Sequence, residues 1–257
     1  MSTAASRPSE VGGWDEYQHG SEKTMSYAIV GFGKIGQALA HAFARKNIDV
    51  TVASRRPPEE LTPQARAIGP TIVARSLQDA LEADTIILAV PFGEHREVAK
   101  ALPSWEGKTV IDATNAFGVL PEELDGLLSS VFVAKAFTGA KLVKGFNHLV
   151  AAILATDPVV EGGHRVVFLS SDDEDATAPV ADLAKQLGFA PVKLGKLNEG
   201  GALVHARGRT WGQLIFQDLF KKQQYQSTTV RFGPKKDGPK RRIRSNALDV
   251  EEKERFQ

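Results

Sequence analysis

The chain of 257 residues contains no cysteine. That excludes disulfides, thiol nucleophiles, cysteine-ligated zinc and iron–sulfur clusters, and it is compatible with a reducing cytoplasm, the location expected here. An excess of one charge is also missing. The 32 Lys and Arg oppose 31 Asp and Glu, for a formal net charge of +1 at pH 7. Such a balance argues against a general nucleic-acid binder, which needs a basic surface. No apolar run approaches the length of a membrane span, and the N-terminus lacks the apolar segment of a secretory signal. Internal repeats are absent, and no nucleophile–base pair is legible. The length allows one large domain or two small ones, enough for a parallel sheet covered on both faces.

What is present is a strand, a glycine turn and a helix. Tyr27-Ala28-Ile29-Val30 reads as a buried strand and runs into Gly31, Gly33 and Gly36. Apolar residues then recur at Ile35, Ala38, Leu39, Ala42 and Phe43, which is helical spacing. In this context Gly31 permits the tight turn, Gly33 lets the backbone approach a pyrophosphate, and Gly36 lets helix and strand pack closely. The helix start offers free N–H groups and a positive dipole end to phosphates. The second strand, Asp49 to Ser54, is followed by Arg55 and Arg56. A site for NAD places a carboxylate at this point, to bond the ribose 2′-hydroxyl. A hydroxyl and two guanidiniums instead suit a 2′-phosphate, through charge-assisted bonds. Alone, the arginines would read as a solvated pair; at this position they point to NADP(H).

The rest of the chain continues the alternation. Met1 to Thr24 has little periodicity and reads as a disordered extension (1–24). Leu61 to Ile68 reads as a helix and Thr71 to Val73 as a strand, and Ser76 caps a short helix with Asp79 in its first turn. Thr85 to Val90 has no polar alternation, so both its faces are expected to be buried. Ala89, Val90 and Pro91 close that strand at its carboxyl end, where an open parallel sheet binds its ligand. His95 opens the next helix, either capping it or meeting a ligand. Thr109 to Asp112 is a strand, and Asn115 follows at another carboxyl end. Pro121 opens a helix continued by Leu124, Leu127, Leu128, Val131 and Ala134, although Val131 to Val133 also suits a strand. Lys141 to Asn147 is the sixth strand, and Asn147 and His148 form a second polar pair at the crevice. A strand at Arg165–Ser170, a helix over Thr177–Leu187 with Gly188 after it, and a short strand at Pro191–Leu194 come next. Leu203 to Phe220, with Trp211, Leu214, Ile215 and Leu219, reads as one apolar terminal helix that packs on the crevice, on a partner subunit, or both. From residue 223 a basic tail begins, read as disordered and solvated.

These residues resemble the NADPH-dependent coenzyme F-420 reductases, also called 8-hydroxy-5-deazaflavin:NADP oxidoreductases. The shared pattern is the Gly31, Gly33, Gly36 turn, the Val52-Ala53-Ser54-Arg55-Arg56 run, the strand end Ala89-Val90-Pro91, His95, and Val143-Lys144-Gly145-Phe146-Asn147. It covers roughly Met25 to Lys222. The resemblance implies hydride transfer between a nicotinamide and a deazaflavin, which needs two stacked rings rather than an acid–base triad. By position, Gly31, Phe32, Gly33, Lys34, Ile35 and Gly36 would hold the pyrophosphate, and Ser54, Arg55 and Arg56 the 2′-phosphate. Ala89, Val90, Pro91 and Asn115 would line the nicotinamide half. Asn147, His148 and His95 would face the second substrate. The family often carries a small residue where this chain has His148, a bulky titratable group that would narrow or change the acceptor.

The expected architecture is an α/β, Rossmann-type, doubly wound parallel sheet (25–156) with a small C-terminal α/β extension and a terminal apolar helix (157–222), then the tail (223–257). The expected partners are a small-molecule hydride acceptor or donor and a second copy of the chain, as a homodimer, with no nucleic acid, no membrane span and no metal. Coenzyme F-420 is the co-substrate the resemblance implies. Two other readings stay open: an NADPH-dependent reductase of a flavin, ferric chelate, imine or carbonyl, and a non-enzymatic NADP(H) sensor or scaffold.

Overall fold

A parallel sheet grows outward from the glycine turn. The structure, a computed structural model, describes residues 25–222 apart from 207, 209 and 216. The leader and the basic tail lie outside the described residues. Strands and helices alternate as β1 (Tyr27–Val30), α1 (Lys34–Arg45), β2 (Val50–Ala53), α2 (Pro58–Ile68), β3 (Ile72–Ala74), α3 (Leu77–Ala80), β4 (Thr85–Leu88), α4 (His95–Ala99), β5 (Thr109–Asp112), α5 (Ser129–Ala136) and β6 (Lys141–Gly145). The strand order is β3-β2-β1-β4-β5-β6, and every one of these pairings is parallel. The order reverses direction between β1 and β4, so a crevice opens beyond their carboxyl ends.

Alternate residues of each strand feed opposite layers. Ile29, Ile87, Ile111 and Val143 join one apolar cluster with Leu39 and Phe43 of α1 and Leu61 of α2. Ala28, Ile86, Val110 and Leu142 join the other with Ala80 of α3, Val98 of α4 and Val133 of α5. Both faces of β4 are therefore covered, which explains its unbroken apolar run. Each fully buried Ile or Leu contributes about 1.5–3 kcal/mol relative to exposure. The chain can thus hold a few charges inside the sheet, a point that matters at the far end of the crevice.

The remaining segment extends the same sheet. It comprises α6 (Ala151–Leu154), β7 (Val159–Val160), β8 (Gly163–Ser170), α7 (Glu174–Gln186), β9 (Ala190–Lys193), α8 (Trp211–Leu214) and β10 (Phe220–Lys222). β8 pairs antiparallel with β6 through Lys144↔Ser170 and Gly145↔Leu169. β9 runs parallel to β8, while β7 and β10 lie antiparallel to it. α7 starts earlier than its apolar spacing suggests, because the Asp173 side chain accepts the N–H groups of Asp175 and Ala176 at 3.0 and 3.2 Å. Among the described residues no helix is long and apolar enough to cross a membrane.

Two sequence expectations are corrected. The helix expected from Pro121 divides into a 3-10 turn at Pro121–Leu124 and α5. Asp125 and Gly126 between them take positive φ values of 46° and 70°, which breaks the helix. The single terminal helix over Leu203–Phe220 does not form. In its place stand a 3-10 turn at Gly200–Val204, the four-residue α8 and the strand β10. The segment contains Gly208 and Gly212, each costly inside a helix. Its end is captured by β8: the Arg165 side chain holds the Asp218 carboxylate at 2.9 Å and lies over the Phe220 ring.

Candidate functional site

The glycine turn is stitched into the sheet. The Gly31 N–H donates to Ala53 O and the Ala89 N–H to Val30 O, both at 2.8 Å, so the ends of β1, β2 and β4 are tied together. Each glycine has its own reason. Gly31 has φ +104°, and a Cβ there would stand 2.4 Å from Ala89 O. A Cβ on Gly36 would stand 1.9 Å from Gly31 O, so the helix could not close on the turn. A Cβ on Gly33 would meet nothing within 4 Å. The space in front of Gly33 is open because the protein does not fill it. No side chain caps the start of α1 at Gly33, so the first-turn N–H groups of Lys34, Ile35 and Gly36 have no side-chain acceptor there. The turn, the open space and the uncapped helix fit a dinucleotide pyrophosphate.

A cavity of about 380 Å³ adjoins this turn, lined by Gly31, Phe32, Gly33, Ser54, Arg55, Arg56, Ala89, Val90 and Pro91, with Glu94 and Glu97 also in the lining. The first nine are expected from the sequence; the two carboxylates are not. Nothing in the local sequence marks them, because they enter the cavity only through the turn that follows β4. Ser54 accepts the Arg56 N–H on its Oγ at 3.0 Å, and the Arg56 guanidinium reaches Gln64 Oε1 at 3.3 Å. Arg55 Nη1 donates to Glu94 Oε1 at 3.0 Å. Lys34, Ile35 and Gly36 stand outside the lining, on the first turn of α1.

Farther along the carboxyl edge, β5 and β6 bring together residues the sequence separates. Asn115 donates to Asn147 O at 2.8 Å, and Asn147 Nδ2 returns a bond to Asn115 Oδ1 at 3.1 Å and another to Val204 O at 3.0 Å. The two amides predicted at neighbouring strand ends thus form one unit. Behind them lies an ion pair that the sequence analysis did not recognise. Lys144 Nζ donates to Asp112 Oδ2 at 3.0 Å, with side chains 2% and 0% exposed. Lys144 also donates to Thr114 O, and Asp112 Oδ1 accepts both the N–H and the hydroxyl of Thr114. The two charges face each other in register across β5 and β6. The available signal was a charge at an inner position of each of two apolar strands, Asp112 and Lys144, since a buried charge requires a partner.

His205 belongs to this end as well, and was also missed, having been absorbed into the expected helix. Its Nε2 accepts the Ser129 N–H at 2.9 Å, which leaves the proton of the neutral ring on Nδ1. Burial first, and then the Lys144 ammonium, push it down to about 4, with the Asp112 carboxylate opposing. It is neutral near pH 7.

Two expected acceptor-facing histidines lie elsewhere. His148 is 1% exposed, and its ring packs on Phe168 at 4.9 Å between centroids. Neither ring nitrogen has a hydrogen-bond partner of full geometry, although the Val166 backbone interacts with the ring. Burial pushes it down to about 4, offset in part by the Val166 backbone and the Asp218 carboxylate. His95 is 2% exposed, stacks on Phe92 at 4.8 Å, and turns Nδ1 back to Phe92 O. It closes its own turn rather than lining the cavity. Among the described residues no group of three or more His, Asp or Glu forms a metal site.

Fold and crevice together define a doubly wound α/β protein of the dinucleotide-binding type. Residues 26–116 match the family model described as NADP oxidoreductase, coenzyme F420-dependent. A crystal structure of a hypothetical protein from Sinorhizobium meliloti is 41% identical, covers 77% of this chain and 96% of its own, and superposes with a TM-score of 0.72. A candidate F420-dependent NADP-reductase from Arthrobacter sp. FB24 shares the fold at 24% identity, with 78% of this chain and 99% of its own covered and a TM-score of 0.59. Metalloreductase STEAP3 of Rattus norvegicus is 26% identical over 175 residues, 66% of this chain and 33% of its own. Metalloreductase STEAP2 of Mus musculus is 29% identical over 185 residues, 68% of this chain and 34% of its own. The chain spans about a third of the length of these curated relatives. With 41% identity over nearly the whole Sinorhizobium protein, the chain belongs to the same family as that protein, and its residues 26–116 match a family of NADP oxidoreductases.

Proposed function

We propose that this protein carries hydride between NADPH and coenzyme F-420, a deazaflavin, or an acceptor of similar planar form. The observation that carries the reading is the cavity beside the glycine turn, with Ser54, Arg55 and Arg56 where a carboxylate selecting NAD would stand. Bound NADPH supplies the hydride; the chain binds and orients. The first-turn N–H groups of α1 receive the pyrophosphate, and Ser54, Arg55 and Arg56 the 2′-phosphate. Ala89, Val90 and Pro91, which line the cavity, would border the nicotinamide half together with Asn115. The Asn115–Asn147 pair, backed by Asp112 and Lys144, offers a fixed polar edge for the nicotinamide half. Alignment of two rings is what such a transfer asks of a protein. The description of the matched family supports F-420 as the second substrate.

A second reading, reduction of a ferric chelate or flavin, draws on the metalloreductases that share this part of their length. A homodimer belongs to the first proposal, with exposed Phe117, Leu120, Leu127 and Leu203 as apolar surface for it. The test mixes the protein with NADPH and F-420 and follows both absorbances. Coupled bleaching of the two is expected. Tight NADPH binding with F-420 unchanged overturns the deazaflavin reading, and ferric citrate or FMN in its place then tests the second. Binding with no oxidation by any acceptor would support the sensor.

A further inference from the structure

We propose that Glu94 tunes the discrimination between NADPH and NADH by competing with the 2′-phosphate for Arg55. The proposal rests on the reading of Arg55 as a 2′-phosphate ligand. The two residues come from different strand ends: Arg55 follows β2, and Glu94 belongs to the turn after β4. In the sheet β1 lies between those strands. An ion pair joining the two loops therefore crosses the carboxyl end of β1, which is where the glycine turn begins. Arg55 Nη1 and Glu94 Oε1 are 3.0 Å apart, and both residues line the cavity.

The pair is exchangeable. The Arg55 side chain is 82% exposed and that of Glu94 31%. Solvent screens such a bond, so it costs little to break. A phosphate dianion is the stronger partner for a guanidinium. Once Arg55 has turned to the phosphate, the Glu94 carboxylate stays in the same cavity without its counter-charge. NADPH binding bears that loss. NADH, which makes no demand on Arg55, does not. Arg56 differs, because its guanidinium donates to the neutral Gln64. The carboxylate thus acts on one guanidinium of the two, and the affinity for NADPH is held below what both arginines would give.

The test is a double-mutant cycle of R55A, E94Q and R55A/E94Q, with NADPH and NADH each titrated calorimetrically at low and at physiological salt. Thermal unfolding of each variant confirms that the fold is kept. R55A is expected to weaken NADPH and leave NADH unchanged. E94Q is expected to tighten NADPH about two- to fivefold, the range for an exposed ion pair, to leave NADH unchanged, and to have no effect in the R55A background. If R55A weakens both nucleotides equally, or neither, the 2′-phosphate reading itself falls. If R55A is selective but E94Q leaves NADPH binding unchanged or weaker, Glu94 does not compete and the inference falls alone. A gain that persists in R55A/E94Q would mean direct repulsion of the phosphate, which also overturns the exchange through Arg55.

Discussion

The two ends of the crevice solve opposite problems with the same kinds of residue. At the glycine-turn end the charged groups are wholly or partly exposed and their bonds are loose: Arg55 to Glu94, Arg56 to Gln64. At the far end Asp112 and Lys144 are buried, and their bonds to each other and to Thr114 are internal. Exposed charges can change partners for a ligand at small cost. Buried ones cannot, because either charge left alone would have to be solvated by nothing. The glycine-turn end is therefore suited to exchange and the far end to holding still. A nucleotide with a strongly charged tail and a reactive ring at its other end calls for that division.

The largest effect should come from breaking the fixed end. K144M strands the Asp112 carboxylate, and loss of one partner of a buried pair costs about 3–5 kcal/mol. Urea unfolding should show a loss of that size. A change below about 1 kcal/mol would mean that the pair contributes little, and the contrast between the ends would disappear.

The pH dependence of stability comes second. His148 has an ordinary value of 6.5 and is pushed down to about 4 in the fold. The unfolded chain thus takes up its proton before the folded one does. Stability is fully present above about pH 6.5 and is lost as pH falls toward 4, by about 2 kcal/mol at pH 5. His205 adds to the trend with a smaller share, being partly open to solvent. Thermal unfolding at pH 7 and pH 5 measures the loss, and H148L should flatten much of it. An unchanged slope in H148L would show that His148 is hydrated in solution.

The smallest expected change in stability, with a clear change in binding, belongs to G33A. Its backbone, at φ −83° and ψ −161°, is open to alanine, and the added methyl meets no protein atom. The fold should be kept while NADPH weakens about tenfold, or about 1.4 kcal/mol. Equal NADPH affinity in G33A would remove the pyrophosphate from this turn.

How much of this was legible depends on the range of the interactions involved. The strand at Tyr27–Val30, the turn at Gly31, Gly33 and Gly36, and the helix after it are adjacent in sequence and carry their own steric reasons, so this strand, turn and helix could be read directly. Asn115 and Asn147 could each be placed at a strand end, but their mutual bonds depend on β5 and β6 being neighbours. His148 was read as facing the crevice because it follows Asn147. In the structure Phe146 takes φ +58°, and His148 packs beneath β8 against Phe168. The apolar run Leu203–Phe220 has helical composition. Yet β10 pairs with β8, and Arg165 holds Asp218, contacts with partners some fifty residues away in the chain.

By itself the sequence determined the doubly wound order, the glycine turn and the arginines that follow β2, because each follows from local sterics, apolar periodicity or the chemistry of one short run. Only the tertiary structure decided that Glu94 faces Arg55 across β1, that Asp112 and Lys144 neutralise each other, and that two of the candidate histidines are interior. Those outcomes depend on which strand lies beside which, and on the cost of burying a charge or a ring nitrogen once the neighbours are set.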